Sequence, residues 1–369
     1  MIVKRLFPLL VAIFTVFATP QNVMAAHEEP AHHEAAAHGE AAHEEEKGFN
    51  ASEVIFSHIG DSHYWHLFDW NGHPVSLSLP VIIYHPEKGM EFFSASKFHH
   101  GHESYNGYHI EHGMKEKIVS EDGAAILDLS ITKNVLSMII SVVLLLVIMT
   151  NVAKKYRKNG VMTAPSGFQN ALEPVLNFIR DEVAKPNLGS KYMKFMPLLL
   201  TMFFFIWINN LLGLLPGGAN FTGNIAVTAC LALISFIVMV VNGNKHFWGH
   251  LLNPPGVPFG VKLLLVPIEI ISLFIKPVAL MIRLFANMMA GHIVILSVIS
   301  MIFIFGGISK VAGWGFAPVS LAFSIFMFFL ELLVAAIQAF IFTNLTAVFI
   351  GQAVEEAHHD DAHAHAEHH

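Results

Sequence analysis

The chain has 369 residues, of which 54% are hydrophobic and only 13% charged, and its mean hydropathy is positive. That balance excludes an ordinary soluble protein and points to a polytopic membrane protein. The formal charge of −7 comes mostly from the two ends, a single cysteine (Cys230) rules out an intrachain disulfide and argues against a thiolate metal site, and no G-x-x-x-x-G-K-[ST] phosphate loop occurs. No cofactor and no nucleic-acid partner are expected.

Residues 1–26, MIVKRLFPLLVAIFTVFATPQNVMAA, place Lys4 and Arg5 before a short apolar core, with Val23-Met24-Ala25 at the cleavage positions. This is the pattern of a signal peptide, with an uncleaved anchor as the alternative. Cleavage would put the next segment outside the cytoplasm. Residues 27–49 are low-complexity His/Glu/Ala sequence, too polar to support a core and read as a disordered, solvated segment. Clustered histidines can hold Zn or Cu or sense pH, but no fixed ligand spacing supports that here. Residues 50–130 read as an extracytoplasmic region. Alternation over Val75–Leu79 and an apolar run over Val81–Tyr84, bounded by Pro and Gly, predict strands within it.

The membrane part is expected over 131–352. A first span begins at Asn134 (NVLSMIISVVLLLVIMTNV), and Lys154, Lys155, Arg157 and Lys158 assign its end to the cytoplasm. Gly167–Val183 has Leu172, Val175, Leu176 and Ile179 at helical spacing but is too polar to cross. It is predicted to lie on the surface as an amphipathic helix. A second span, Phe195–Leu215, carries Asn209 and Asn210 and ends at Pro216-Gly217-Gly218. Those asparagines serve either as interhelical hydrogen-bonding groups or as polar pore groups. A third span, Ile225–Val241, leads to a loop around Lys245 and His246. The run 262–308 would make a helix of about 70 Å, so it is either two spans broken near Pro267 or Pro277 or one tilted helix. The last span, about Ala317–Ile350, carries Glu331, Gln338 and Asn344, and a His-rich tail (353–369) follows. With one crossing by the long run there are five spans and a cytoplasmic C-terminus.

The 262–308 run holds Glu269, Lys276, Arg283 and His292 where lipid is expected. An arginine at a helix centre costs about 2.5–3.5 kcal/mol to insert, so such groups mark an ion pathway. With one crossing, Glu269 lies near the cytoplasmic end, Arg283 near the middle and His292 towards the outer side. The last span runs back, which sets Glu331 level with His292 and Gln338 nearer Arg283. Glu331 and Gln338 share a helix face, as do Arg283 and Asn287. Arg283 and His292, nine positions apart, face opposite sides. His292 and Glu331 therefore form a titratable pair, whereas Arg283 keeps its charge and can only hold a carboxylate ionised. No acid in this chain is placed to meet Arg283, which implies one on another subunit. Lys276 reads as a structural, snorkelling residue.

IEIISLFIKPVALMIRLFANMMAGHI and ELLVAAIQAFIFTNLTAVFI, together with WINNLLGLLPGG, resemble subunit a of the rotary F-type ATP synthases over roughly Asn134–Glu356. The resemblance implies an all-α polytopic membrane protein of about five spans, with a long tilted helical hairpin and one surface helix; residues 27–130, with the small β-containing N-terminal region read from alternation, lie outside it. It implies a stationary subunit in a bacterial inner membrane, set against a ring of c subunits and held with peripheral-stalk subunit b. ATP chemistry would be done elsewhere in the complex. It further implies that Arg283 faces the ring carboxylate with Gln338 and Asn287 beside it. His292 and Glu331 would form an outer half-channel pair, and Glu269 a cytoplasmic half-channel acid. Two features depart from the usual pattern. His and Glu are exchanged between positions 292 and 331 relative to many bacterial relatives, and Gly213 stands where some relatives have an acid. The rival readings are a stand-alone cation or metal transporter with ion-collecting His-rich tails, and a membrane anchor in which Arg283 is dispensable.

Overall fold

The computed structural model describes residues 51–70, 73–101, 103–111, 116–160, 167–215, 217–254, 256 and 258–355. The expected signal peptide, the His/Glu-rich segment and the end of the C-terminal tail lie outside them. The N-terminal region opens with helix α1 (Ala51–Ile59). Strands β1 (Tyr64–Trp70), β2 (His73–Ser78), β3 (Pro80–His85), β4 (Gly89–Ser94), β5 (Tyr108–Glu111), β6 (Lys117–Ser120) and β7 (Leu127–Asp128) follow. They form an antiparallel β1–β2 pair, a sheet ordered β4–β3–β7, and a β5–β6 pair. In β3 alternate residues Val81, Ile83 and His85 turn inward, as the period of two requires. They meet a small core of Tyr64, Phe98, Tyr108, Ile110, Ile118 and Ile126. The strands expected from Val75–Leu79 and Val81–Tyr84 are β2 and β3.

This region buries a charged centre as well. His63 is fully buried, with Nδ1 3.3 Å from Glu116 and Nε2 3.6 Å from Asp128. Burial alone would strip its proton, but hydrogen bonds and charge from Asp128 and Glu116 overcome it and raise His63 to about 9.

Helix α2 (Lys133–Asn159) is the first long apolar helix. Helical backbone then continues from Phe168 to Leu214 through α3 (Phe168–Phe178), a π turn (Ile179–Ala184), α4 (Lys185–Leu188) and α5 (Tyr192–Leu214). Gly189, at φ 53°, ends α4 before the short 3-10 turn Gly189–Lys191 that leads into α5. The predicted amphipathic face is present: on α3 Leu172 is buried and Val175 and Leu176 half-buried, and Ile179, opening the π turn, is buried. Helix α6 (Ile225–Val241) matches its expected bounds, and α7 (Lys245–Leu252) turns away from it by 100°. The sequence predicts only a loop around Lys245 and His246, where α7 stands.

The long run is one helix, α8 (Phe259–Ile308, 50 residues), with Pro267 and Pro277 inside it. At ~1.5 Å per residue it is about 75 Å long, more than twice a ~30 Å hydrocarbon core. Helix α9 (Lys310–Val354, 45 residues) begins seven residues earlier than the span predicted from Ala317. Only Ser309 separates α8 from α9, so the two form a helical hairpin. Four helical segments are long and apolar enough to cross a membrane, and α6 with its bent partner α7 makes up to five. At 17 residues, α6 measures about 26 Å. The protein is thus a mostly helical, polytopic membrane protein with a small strand-bearing N-terminal region.

Lipid tails are as apolar as leucine, so helix packing here depends on shape and hydrogen bonds rather than on burial from water. Helix α9 accordingly presents small residues inward: Ala335, Ala339, Ala347, Gly351 and Ala353 are buried along it. Gly351 lies so close to the Asn187 carbonyl that a Cβ there would collide with it. Ser235 of α6 and Thr346 of α9 share a hydrogen bond of 3.0 Å.

Candidate functional site

The hairpin brings the polar residues of its two helices together on one seam. On α8 the buried residues are Leu273, Leu280, Leu284, Met288, His292 and Ser300, and on α9 the seam includes Ser320, Ser324, Glu331, Ala335 and Gln338. Spacings of three, four, seven and eight keep each set on one helix face. His292 and Glu331 meet there, with Nδ1 3.2 Å from Oε1. The level placement of the pair in the sequence reading is what the antiparallel hairpin produces.

The partners of His292 fix where its protons sit. Nε2 lies 3.1 Å from the carbonyl oxygen of Gly213 at the end of α5. A carbonyl can only accept, so Nε2 carries a hydrogen and donates it. Nδ1 then faces two oxygens, Met288 O at 3.0 Å and Glu331 Oε1 at 3.2 Å. A bare lone pair would be repelled by both, so a proton belongs between Nδ1 and Oε1, on either atom. Imidazolium with carboxylate and imidazole with carboxylic acid contain the same number of protons, which makes the pair a holder of one transferable proton. The second carboxyl oxygen, Glu331 Oε2, is buried without a protein partner.

Arg283 occupies the midpoint of α8, with 24 residues before it (283 − 259) and 25 after it (308 − 283). It is exposed, as are Ala286, Asn287, Ala290 and Val294 along the same side, whereas His292 is buried on the other. Among the described residues, Arg283 has neither an ion pair nor a hydrogen-bond partner. Asn287 donates to Gln338 Oε1 at 2.8 Å, which joins the exposed face of α8 to the buried seam of α9. Gln338 Nε2 has no partner within the protein. Glu269 is half-buried and stands apart, 14 residues (283 − 269) before Arg283 on the same helix, or about 21 Å away along the axis.

The remaining polar residues have local partners. Lys276 donates to Gln352 at 3.0 Å and lies 5.5 Å from the Phe349 ring centroid, linking α8 to α9. Asn210 donates to Ala335 O of α9 at 3.3 Å and accepts from Thr222 at 2.8 Å. It is an interhelical hydrogen-bonding group, the first of the two roles considered for it. Asn209 donates back to Phe205 O at 2.7 Å, and its Oδ1 is buried and unpartnered. Among the described residues no group of three His, Cys, Asp or Glu is placed to hold a metal ion.

Sequence reasoning missed the glycine that lets the pair form. A Cβ on Gly291 would stand 2.6 Å from Glu331 Cδ and closer still to Oε1, so only glycine admits the carboxyl against α8. Its position directly before His292 was the available signal. Gly213, noted only as a departure, supplies its carbonyl to His292 instead of a side chain.

A model of the ATP synthase A chain family matches residues 135–351, and a model of a domain of unknown function (DUF8433) matches residues 54–135. ATP synthase subunit a of Chloroherpeton thalassium is 47% identical over 248 residues, covering 66% of this chain and 72% of that protein. ATP synthase subunit a of Chlorobium phaeobacteroides is 46% identical over 248 residues, covering 66% and 70%. That of Anaeromyxobacter dehalogenans is 37% identical over 306 residues, covering 80% and 75%. The seam and all but the last three residues of the hairpin lie within the first family match. This chain belongs to the ATP synthase A chain family, as a subunit a of ATP synthase.

Proposed function

We propose that this chain is the stationary proton-conducting subunit of the synthase, with two half-channels separated by Arg283. His292 and Glu331 exchange protons with the outer side, and Glu269 lines the path to the cytoplasm. Between them, each proton travels on a carboxylate of the rotating c-ring. Arg283 attracts that carboxylate in its ionised form and so prevents a proton from slipping directly between the two paths. Flow is thereby tied to rotation. ATP is made or hydrolysed by other subunits, and this chain has no catalytic site of its own. The assembly would sit in a bacterial inner membrane beside peripheral-stalk subunit b, with the strand-bearing region outside and the C-terminus in the cytoplasm.

The observation that carries this reading is the exposure of Arg283 at the midpoint of α8, without an acid partner among the described residues. Stranding a guanidinium in lipid costs about 2.5–3.5 kcal/mol, whereas a carboxylate 4 Å away returns roughly 4 kcal/mol at an effective dielectric near 20. Ala286 and Ala290 on the same exposed face are small enough for another helix to approach closely. The buried pair lies nine residues (292 − 283) towards the hairpin turn, about 13 Å along the axis, and so serves a different depth. The test is a disulfide cross-link between Ala286→Cys and a cysteine placed beside the ring carboxylate. The reading requires the cross-link to form and to block rotation. Its absence, while Leu321→Cys on the exposed side of α9 does cross-link to the ring, would refute this assignment of the face.

A further inference from the structure

The strand-bearing region is fastened to the membrane helices around His292. Helix α1 packs against α8. Trp65 Nε1 donates to the carbonyl of Gly217, just beyond the end of α5, at 2.5 Å. Gly213, four residues earlier, is the hydrogen-bond partner of His292. Lys133 Nζ, at the start of α2, donates to the carbonyl oxygen of His58 at 3.0 Å. Asp61 accepts the Thr132 hydroxyl at 2.9 Å and the Asn134 backbone N–H at 3.2 Å, and so caps α2 from outside the helix. These ties join the region to α2, to α8 and to the turn after α5, and His58 lies among them, half-buried on α1.

We propose, building on the reading of His292 and Glu331 as the outer proton site, that the strand-bearing region roofs this site and that the His58 side chain passes protons between outer water and the pair. The groups facing His58 are Lys133 on α2, His292 on α8 and His66 on β1, all within electrostatic reach. Burial first, then the charges of Lys133, His292 and His66, lower His58 to about 4, so the imidazole is neutral at ordinary pH. A neutral imidazole takes a proton on one nitrogen and releases one from the other, ending uncharged. The acceptor on the far side is the pair, where Glu331 Oε2 is buried without a protein partner.

The test uses His58→Cys in the intact complex. The tie to Lys133 is made by the His58 backbone carbonyl, so the substitution keeps it. The chain's only native cysteine, Cys230, is buried. Purified complex is labelled with a positively charged methanethiosulfonate and reconstituted into liposomes. ATP-driven proton pumping is then compared before and after reductant. We expect His58→Cys to pump at least fivefold less than wild type, external imidazole to restore pumping, labelling to block that rescue until reductant removes the label, and wild-type complex to be unaffected by the reagent. Pumping by the fully labelled variant at the wild-type rate overturns the proposal. So does failure to label, because a relay group must meet water. If the unlabelled variant is already silent in an assembled complex, external imidazole should restore pumping, and failure to restore it also counts against His58. His292→Ala run in parallel separates the two levels. Normal pumping there removes the underlying reading, whereas its loss beside a labelled and unaffected His58→Cys removes only the roof.

Discussion

Gly291→Ala is the smallest change that should disable the buried pair. The added methyl would lie 2.6 Å from Glu331 Cδ and 3.1 Å from Cγ, so the carboxyl must retreat by about 1 Å to reach ordinary contact. Glu331 is 4% exposed, so the retreat separates it from His292 or forces α8 and α9 apart. The present 3.2 Å contact would pass beyond hydrogen-bonding range. A hydrogen bond between charged groups contributes roughly 1.5–3 kcal/mol, or about 10- to 150-fold in the population of the proton-sharing arrangement. Pumping by the reconstituted complex should fall at least tenfold, while ATP hydrolysis by the detached soluble sector is unchanged. The double variant Gly291→Ala/Glu331→Asp should lose less than the two single losses combined, because shortening the acid relieves the clash. Gly291→Ala pumping at the wild-type rate, with this subunit present in the complex, would refute the reasoning.

Gly213→Ala should be harmless by the same logic. Its Cβ would meet Ala219 O at 3.5 Å and His292 Cε1 at 3.9 Å, both ordinary contacts, and the carbonyl that serves His292 is backbone. Pumping within twofold of wild type is expected, and a tenfold loss would contradict the assigned role of that carbonyl. The strand-bearing region should weaken in alkali. His63 is raised from 6.5 to about 9, so its contribution is fully present below about pH 6.5 and is lost as pH rises through about 9. That contribution is on the order of 3 kcal/mol. Asp128 is half-buried, but His63 beside it and the hydrogen bond from Ser130 hold it below its usual value. Its own contribution is therefore present above the normal carboxylate range and lost only in acid. Limited proteolysis of the complex should cut this region faster at pH 9.5 than at pH 6, and His63→Gln should abolish that difference.

The sequence made the seam legible because two physical rules are stringent there. An ionisable residue in a lipid-compatible run needs a partner, and a helical hairpin fixes depth by residue count. Those rules were enough to pair His292 with Glu331 and to set Arg283 on the opposite side. They did not decide whether 262–308 breaks at its prolines, because a proline removes one hydrogen bond without dictating a break when neighbouring helices support the backbone. Helix α7 was missed because Lys245–Leu252 is short and mixed in polarity. Close approach was invisible as well: Gly291 and Gly351 have no chemistry of their own, and their roles depend on which backbone or side chain lies opposite. The strand-bearing region showed its strands through alternation. Its attachment by Asp61, Trp65 and Lys133 rests on contacts between residues distant in sequence, which no local pattern announces.

The central claim is that Arg283 separates two proton paths, and ATP-driven pumping in inverted membrane vesicles carrying Arg283→Ala tests it most directly. Because Arg283 has no partner within the described chain, its removal should leave the subunit folded and co-purifying with its ring. The account predicts that pumping vanishes in such an assembled complex. Pumping at the wild-type level would contradict it.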